Sequence, residues 1–433
     1  MLFQLSKNLK ITNAYRFITE SQSFKDFLIN FNEVLIYKII ASLFATIVMI
    51  ITARTITPSE FGQLGIINTL SNLFFVPMLL GVHNSMYKYL PTSGETERSE
   101  LIFYSTLGGA LSISLSVAVF LGIFPFLVRQ LNISNYLWET GVIMTVLVCS
   151  NVLSESYLRG EKLFNAICKF KLIASIANFL LVVLFYLGFH QKNWRYYFLS
   201  LAASQILFTL LALIRLKIKI LTAFNWEIIK KIYRYGINSS LSTFLGGFIF
   251  LSDVFFVNYF CSPEKVGMYN AYQGFIKNTF SVFFYDVFLV VFLPLIAQSN
   301  YNQLVKKKIR VYLPVILIVI ITGSALAIIV FIKLFGENYQ LNYLYVALSA
   351  ISIGLYTIYQ LSLSIYNMEG NKSALLTGIT ILLVLPFSLV LQFLATKYWG
   401  MTGTLMSVVL TNLLLILSME ICFHLFFRSE RTV

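Results

Sequence analysis

The sequence predicts an all-α integral membrane protein with twelve transmembrane helices in two six-helix lobes. Three observations support this fold class. Hydrophobic residues make up 58% of the 433 residues and charged residues only 12%, whereas soluble proteins carry about 25% charged residues. Apolar runs of about 20 residues recur along the chain, which favours helices over a membrane barrel with its short alternating strands. Finally, short motifs repeat between the two halves of the sequence.

The helices are placed by their apolar runs, each long enough to cross a hydrocarbon core about 30 Å thick. The predicted spans are 31–53, 62–82, 101–126, 137–158, 170–189, 196–215, 236–260, 268–295, 311–335, 341–366, 373–395 and 402–426. Residues 1–30 mix basic with apolar side chains, which predicts an amphipathic segment on the cytoplasmic membrane surface. A disordered tail is the alternative. We predict no cleavable signal peptide, because the first long apolar run simply continues into a helix.

Basic residues predict the orientation of these helices. With the N-terminus inside, the inner segments hold the clusters at 159–171, 215–234 and 306–310, and the outer loops hold few cations. Because positive residues stay on the cytoplasmic side, both termini are predicted to be cytoplasmic. The resulting domains are the basic segment at 1–30, an N-lobe at 31–215, a cytoplasmic linker at 216–235, a C-lobe at 236–427 and a tail at 428–433.

Composition also excludes several functions. The net charge of +14 does not indicate a nucleic-acid partner, because the cations lie in short loops beside helices, where topology and anionic headgroups account for them. The four cysteines and three histidines are scattered without metal-ligand spacing, so we predict no metal site and no cofactor. No loop is long enough to hold a catalytic domain, which argues against an enzyme.

A turn motif repeats between the halves. Residues 57–62 (TPSEFG) recur at 262–267 (SPEKVG), which aligns Asn68 with Gln273 and Asn72 with Lys277. A second, weaker match relates 159–162 (RGEK) to 369–372 (EGNK). Two halves of six helices share one orientation, which places a substrate cavity between them. Helix capping explains the Pro and Glu of the turn, since Pro suits the first helical turn and Glu complements its positive end.

Three ionisable residues, Asp253, Lys277 and Asp286, lie well inside predicted spans. A charge near the bilayer midplane costs about 3 kcal/mol or more, so it normally faces a partner or a watery cavity. If the turn at 262–263 meets the outer surface, Asp253 and Lys277 both lie about 10 to 15 Å inward. The sequence is consistent with two interpretations of Asp253 and Lys277, a transport site and a structural ion pair. On an ideal helix, Asp286 points away from Lys277 and needs a different neighbour.

The residues just described resemble a known family. The pattern Arg54-x-x-x-Pro58-x-Glu60-Phe61-Gly62 after the first helix, the stretch 81–91 and the matching turn after helix seven are similar to the polysaccharide transporter branch of the multidrug/oligosaccharidyl-lipid/polysaccharide (MOP) flippase superfamily, which includes the Wzx O-antigen flippases. The resemblance implies a MATE-like fold. It also implies a flippase that moves undecaprenyl-pyrophosphate-linked oligosaccharide across the bacterial cytoplasmic (inner) membrane by ion-coupled alternating access.

The resemblance further implies that charged cavity residues matter for transport, with Lys38, Asp253, Lys277 and Asp286 as candidates. We expect Lys277 to contact phosphate or sugar hydroxyls with three neutral residues, Asn68, Asn72 and Gln273. Arg54 is expected at the outer exit. Lys38 either contacts substrate or snorkels to the interface.

Asp253 and Asp286 are the expected ion-coupling residues, for either H⁺ or Na⁺. The implied partners are the lipid-linked oligosaccharide, membrane lipids, a polysaccharide polymerase and a chain-length regulator.

Three other functions make different predictions. A multidrug cation antiporter of the same superfamily predicts a cavity dominated by carboxylates, and Lys38 and Lys277 count against it. A membrane polymerase or acyltransferase predicts a large outer loop, which the sequence lacks. A lipid II flippase is expected to carry more arginines in its first helices and often two further spans.

Overall fold

The computed structural model describes residues 22–122, 126, 132–216, 225–274, 277, 302–367 and 371–430. Over these ranges the chain is helical and forms no β-strand. Its helices are α1 (Gln22–Thr55), α2 (Pro58–Leu79), α3 (Val82–Tyr89), α4 (Glu95–Gly122), α5 (Asn135–Gly160), α6 (Phe164–Val183), α7 (Trp194–Leu216), α8 (Trp226–Phe260), α9 (Pro263–Tyr269), α10 (Asn302–Phe335), α11 (Tyr343–Asn367) and α12 (Asn371–Glu430). π-Helical turns extend α6 over Leu184–Gly188 and α9 over Asn270–Gly274. Asp286, residues 1–21 and most of the predicted eighth span lie outside the described residues.

The described helices confirm a multi-pass membrane protein. Among them, nine stretches are long and apolar enough to cross a membrane, and the bent pair α2–α3 raises the number to ten. That pair bends by 64°, where Leu80 and Gly81 adopt left-handed backbone angles. The total of twelve spans and the cytoplasmic location of both termini stay predictions.

One long helix, α12, is in fact a hairpin of two helices. Gly400 has φ 56° and ψ −141°, which breaks the helical path. Hydroxyl pairs then link the two arms on either side of the break, Thr396 to Thr404 at 2.8 Å and Ser388 to Thr411 at 3.1 Å. The arms therefore correspond to the separate spans predicted at 373–395 and 402–426.

Helix α8 starts ten residues earlier than the apolar run indicates. The side chain of Asn225 accepts a hydrogen bond from the Ile228 amide, and its own backbone N–H donates to the Tyr104 hydroxyl at 3.0 Å. A capped helix end needs no apolar residues, so hydropathy alone does not detect this first part. The second half of the predicted linker is therefore helical.

The repeated turns begin helices α2 and α9, as capping predicts. Thr57 and Glu60 form a reciprocal capping box at the start of α2. Ser262 caps α9 by accepting a hydrogen bond from the Lys265 amide, and each helix has Pro in its first turn. These contacts satisfy amide groups that a helix start otherwise leaves without partners.

The packing separates the helices into two halves that meet along α2, α8 and α9. In the first half α1 packs on α6 and α2 on α5, and in the second half α8 and α11 pack on α12 and α10 packs on α11. Between the halves, α2 contacts α9, and α8 contacts α2, α3 and α4. A seam of facing helices therefore runs between the halves, and the two repeated turns lie together at one end of it.

Candidate functional site

A cavity of about 550 Å³ lies on this seam. Its walls come from α1, α2, α7, α8 and α9, so both halves contribute to it. The polar lining residues from α2 and from α9 and its π-helical turn are Asn68, Thr69, Asn72, Asn270 and Gln273, and the charged ones are Asp253 and Lys277. The structure places Asn68, Asn72, Gln273, Asp253 and Lys277 together on this cavity, and their roles in substrate binding and ion coupling stay predictions.

Asp253 is almost completely buried, with 3% of its surface exposed. The Tyr269 hydroxyl donates a hydrogen bond of 2.5 Å to Asp253 Oδ2, and the Val254 amide donates to Oδ1 at 2.8 Å. Tyr269 comes from α9, which follows α8 across the turn. The carboxyl group is therefore held between two consecutive helices at the cavity wall.

Lys277 has partners of a different kind. Its Nζ donates to the Phe250 carbonyl oxygen at 3.3 Å and lies 4.8 Å from the centre of the Tyr356 ring and 5.2 Å from that of Phe250. Both rings stabilise the ammonium group through their negative faces. The cation is thereby held beside the cavity by a carbonyl group and two aromatic rings.

Asp253 and Lys277 act on each other electrostatically, but none of the described ion pairs joins them. The interpretation of this pair as a direct structural salt bridge is therefore not supported by the geometry. Each charge instead has its own local partners. Both groups remain available to interact with a molecule or an ion that enters the cavity.

Neutral polar residues from α2 and from the π-helical turn after α9 line the same cavity. On α2 the Asn72 side chain donates to the Asn68 carbonyl oxygen at 2.9 Å. On the π-helical turn the Gln273 amide donates to Ser352 Oγ at 2.8 Å. Gln273 Oε1 and Asn270 Nδ2 are buried without a hydrogen-bond partner. Because unpaired buried polar atoms are costly, each would gain a partner if a polar solute reached it.

The repeated turns close the seam above this cavity. A Cβ atom on Gly62 would clash with the Pro263 carbonyl oxygen, and one on Gly267 would clash with that of Pro58. Gly62 and Gly267 are equivalent positions of the repeat, so the contact is reciprocal. Next to it, Phe61 packs against Phe335 and Tyr339, with ring centres 5.9 and 6.0 Å apart. The cavity is thus sealed at the turn end.

Arg54 and Lys38 lie outside the cavity wall. Arg54 Nε donates to the Leu334 carbonyl oxygen at 2.6 Å, which ties the end of α1 to the end of α10 beside the sealed turns. Lys38 lies on α1 one helical turn before Ser42, a lining residue, and acts electrostatically on Cys168 of α6. Asp286 lies beyond the described residues.

The sequence did not identify the side chains that hold the two charges. Tyr269, Phe250 and Tyr356 contact Asp253 or Lys277. Nothing distinguishes Phe250 and Tyr356 among the 25 tyrosines and 40 phenylalanines of the chain, but Tyr269 has a signal in the sequence. It begins the polar stripe Tyr269, Asn270, Gln273 and Lys277, whose spacing keeps these residues on one helix face.

Solved structures that are similar to the chain define its fold. The chain is similar to an inward-facing multidrug resistance transporter of the MATE family and MOP superfamily, with 16% identity over 93% of this chain and 99% of that one and a TM-score of 0.67. The lipid II flippase MurJ in an inward closed conformation gives 14% identity, 89% and 86% coverage and a TM-score of 0.67. An outward-facing MATE transporter gives 13% identity, 93% and 96% coverage and a TM-score of 0.54. The fold is therefore that of MOP-superfamily transporters.

The family follows from the sequence match. Residues 30–300 match the family of polysaccharide biosynthesis proteins. Because this match covers more than half of the chain, the protein belongs to that family, which confirms the resemblance noted from the turn motifs. No curated protein matches the chain.

Proposed function

We propose that the protein is a flippase, and not an enzyme, that carries a lipid-linked oligosaccharide from the inner to the outer leaflet of a bacterial cytoplasmic membrane. The substrate we assign is an oligosaccharide on undecaprenyl pyrophosphate, such as an O-antigen repeat unit. The observation that carries the proposal is the polar cavity on the seam of the two halves in a polysaccharide biosynthesis protein. The lipid II flippase MurJ, which shares the fold, supports a lipid-linked cargo.

The composition of the cavity suits a headgroup with many hydroxyls and one concentrated negative charge. Neutral amides along α2 and α9 are able to exchange hydrogen bonds with sugar hydroxyls, as the unpaired Gln273 Oε1 and Asn270 Nδ2 indicate. Lys277 is the fixed cation that would offset the cost of bringing a phosphate into a low-dielectric cavity. We assign phosphate contact to Lys277 and sugar contact to Asn68, Asn72 and Gln273.

Asp253 is the residue to which we assign ion coupling. Its carboxyl group lines the cavity, and its partner Tyr269 comes from the helix that seals the turn end. Binding of H⁺ or Na⁺ at Asp253 would change this hydrogen bond, and so link ion binding to the position of α9. Asp286 stays a second candidate for this role, and Lys38 and Arg54 stay candidates for substrate contact near the two ends of the path.

The test uses Lys277→Ala and Asp253→Asn, singly and together, in the native host with protein abundance measured. Loss of a charged hydrogen bond is worth about 1.5 to 3 kcal/mol, so each single variant should lower surface polysaccharide by about tenfold or more. Lys265→Ala and Glu264→Gln are the matched controls, because both side chains are exposed on the turn. Normal polysaccharide in both single variants would refute the assignment, and recovery in the double variant would show a purely structural pair.

A multidrug cation antiporter is the alternative suggested by the MATE-like fold. The cavity counts against it, because its described charges are one carboxylate and one cation, where a cation carrier requires an excess of carboxylates. Drug sensitivity of the same variants separates the two functions. The flippase proposal expects unchanged drug sensitivity in a strain that has lost surface polysaccharide.

A further inference from the structure

A second concave surface lies on the same seam, on the far side of α2 from the polar cavity. This apolar groove, of about 520 Å³, is formed by α2, α4 and α8. Its lining includes Phe74, Leu111, Leu115, Ser116, Phe244 and Phe248. All of these residues belong to helices of membrane-spanning length, so an apolar groove at this place suits hydrocarbon chains.

Polar contact is nearly absent from this groove. Its described lining contains only two hydroxyl side chains, Ser112 and Ser116, and the Ser112 hydroxyl is already hydrogen-bonded to Tyr233 at 2.8 Å. Leu111 and Leu115 are 64% and 70% exposed, so the groove lacks a protein cover in the described chain. An apolar chain that fills the groove would gain van der Waals contacts with these side chains.

The packing of α2 on α8 lies between the groove and the cavity. Leu73 on α2 packs against α8 at Gly247, where an added Cβ atom would lie 3.3 Å from Leu73 Cδ1. On one side of this contact α2 presents Asn68 and Asn72 to the cavity, and on the other side it presents Phe74 to the groove. A molecule with a polar head and an apolar chain would match the two surfaces together.

We infer that this groove, lined by Phe74, Ser116, Phe244 and Phe248, binds the isoprenoid chain of the lipid carrier while its headgroup occupies the cavity. The inference rests on the proposed function and specifies where the carrier chain lies. A polyprenyl chain fits because its flat, methyl-branched units pack on aromatic rings, which line three sides of the groove. Separation of α2 from α8 at Leu73 and Gly247 would open a path between the cavity that holds the headgroup and the groove that holds the chain.

The test uses the full-length protein in nanodiscs of phosphatidylethanolamine and phosphatidylglycerol. A photoreactive long-chain polyprenyl phosphate is cross-linked to the protein, and the labelled peptides are mapped by mass spectrometry. We expect labelling on α2, α4 and α8 at the groove, which excess unlabelled polyprenyl phosphate removes. A photoreactive phosphatidylethanolamine is used in parallel, and equal labelling of the groove by this probe would overturn the inference.

Ser116→Phe fills the groove, and Ser114→Phe, on an exposed face of the same helix, is the matched control. Since displacement of two methylene groups is enough for about a tenfold loss of affinity, Ser116→Phe should lower labelling about tenfold and Ser114→Phe should not. If Ser116→Phe does not fold, the inference is tested on the unaltered chain by the mapped peptides and by competition with unlabelled polyprenyl phosphate. Absence of groove labelling overturns the inference, while loss of polysaccharide in Lys277→Ala would still uphold the flippase.

Discussion

At the scale of single residues, the buried Asp253 and the half-buried Lys277 are stabilised mainly by groups that are not ions. Asp253 accepts hydrogen bonds from the Tyr269 hydroxyl and the Val254 amide, and Lys277 is held by the Phe250 carbonyl and two rings. Charges inside a membrane require such compensation. Because the compensation is local to each residue, either charge is free to change its interactions without breaking an ion pair.

This arrangement predicts the effect of Tyr269→Phe. The variant removes the hydroxyl that donates to the buried Asp253 carboxyl group, so it should lower the free energy of unfolding by about 1 to 3 kcal/mol. Thermal unfolding of the purified protein in detergent measures the loss. Tyr359→Phe is the matched control, because the Tyr359 hydroxyl is buried without a hydrogen-bond partner, and it should be neutral. Equal losses in both variants would contradict this role of Tyr269.

The position of the charges was predictable at this scale, and their contacts were not. Depth from the turn and helix periodicity placed Asp253 and Lys277 at one level, and in the structure both line the same cavity. Phe250 and Tyr356 reach Lys277 only because α8 and α11 pack near each other, which no local pattern encodes. Arg54 shows the same limit, since its partner is the end of a helix 280 residues away.

At the scale of helices, the repeated turns have two roles in one short motif. Thr57, Glu60 and Ser262 cap the helices that they begin, and the sequence had predicted capping from the Pro and Glu of the turn. Gly62 and Gly267 allow the two helix starts to come into backbone contact, which the sequence did not predict. Capping is a local interaction and is visible in one segment, whereas the glycine contact requires knowledge that the two repeats meet.

The glycine contact predicts that Gly267→Ala opens the turn end of the seam. A methyl group there collides with the Pro58 carbonyl oxygen, and backbone atoms do not yield as a flexible side chain would. The distance between spin labels at Gln63→Cys and Lys265→Cys, measured by pulsed electron paramagnetic resonance, should increase and broaden. Gly323→Ala on α10 is the control, since nothing lies within 4 Å of its added Cβ atom, and its distance distribution should be unchanged. An unchanged distribution in Gly267→Ala would rule out this seal.

At the scale of the whole molecule, a polar cavity lies on the seam between two groups of packed helices, and the repeated motifs of the sequence predicted a cavity between two halves. Hydropathy located the described spans because an apolar run long enough to cross a membrane is visible in the sequence. It misplaced helix starts that are capped and polar, such as that of α8 at Trp226. The apolar groove beside the cavity also went undetected, since lipid-facing and groove-facing leucines look alike in sequence.

The central claim is that the cavity carries the headgroup of a lipid-linked oligosaccharide, and direct measurement of flipping tests it. Purified protein is reconstituted in liposomes with a lipid-linked oligosaccharide that carries a fluorescent sugar, and a membrane-impermeant quencher reports its arrival in the outer leaflet. We expect the protected fluorescence to be lost rapidly with the unaltered protein. With Lys277→Ala the rate of this loss should fall by at least about tenfold, as expected for one lost charged hydrogen bond. Equal rates for the unaltered protein, the variant and protein-free liposomes would contradict the central claim.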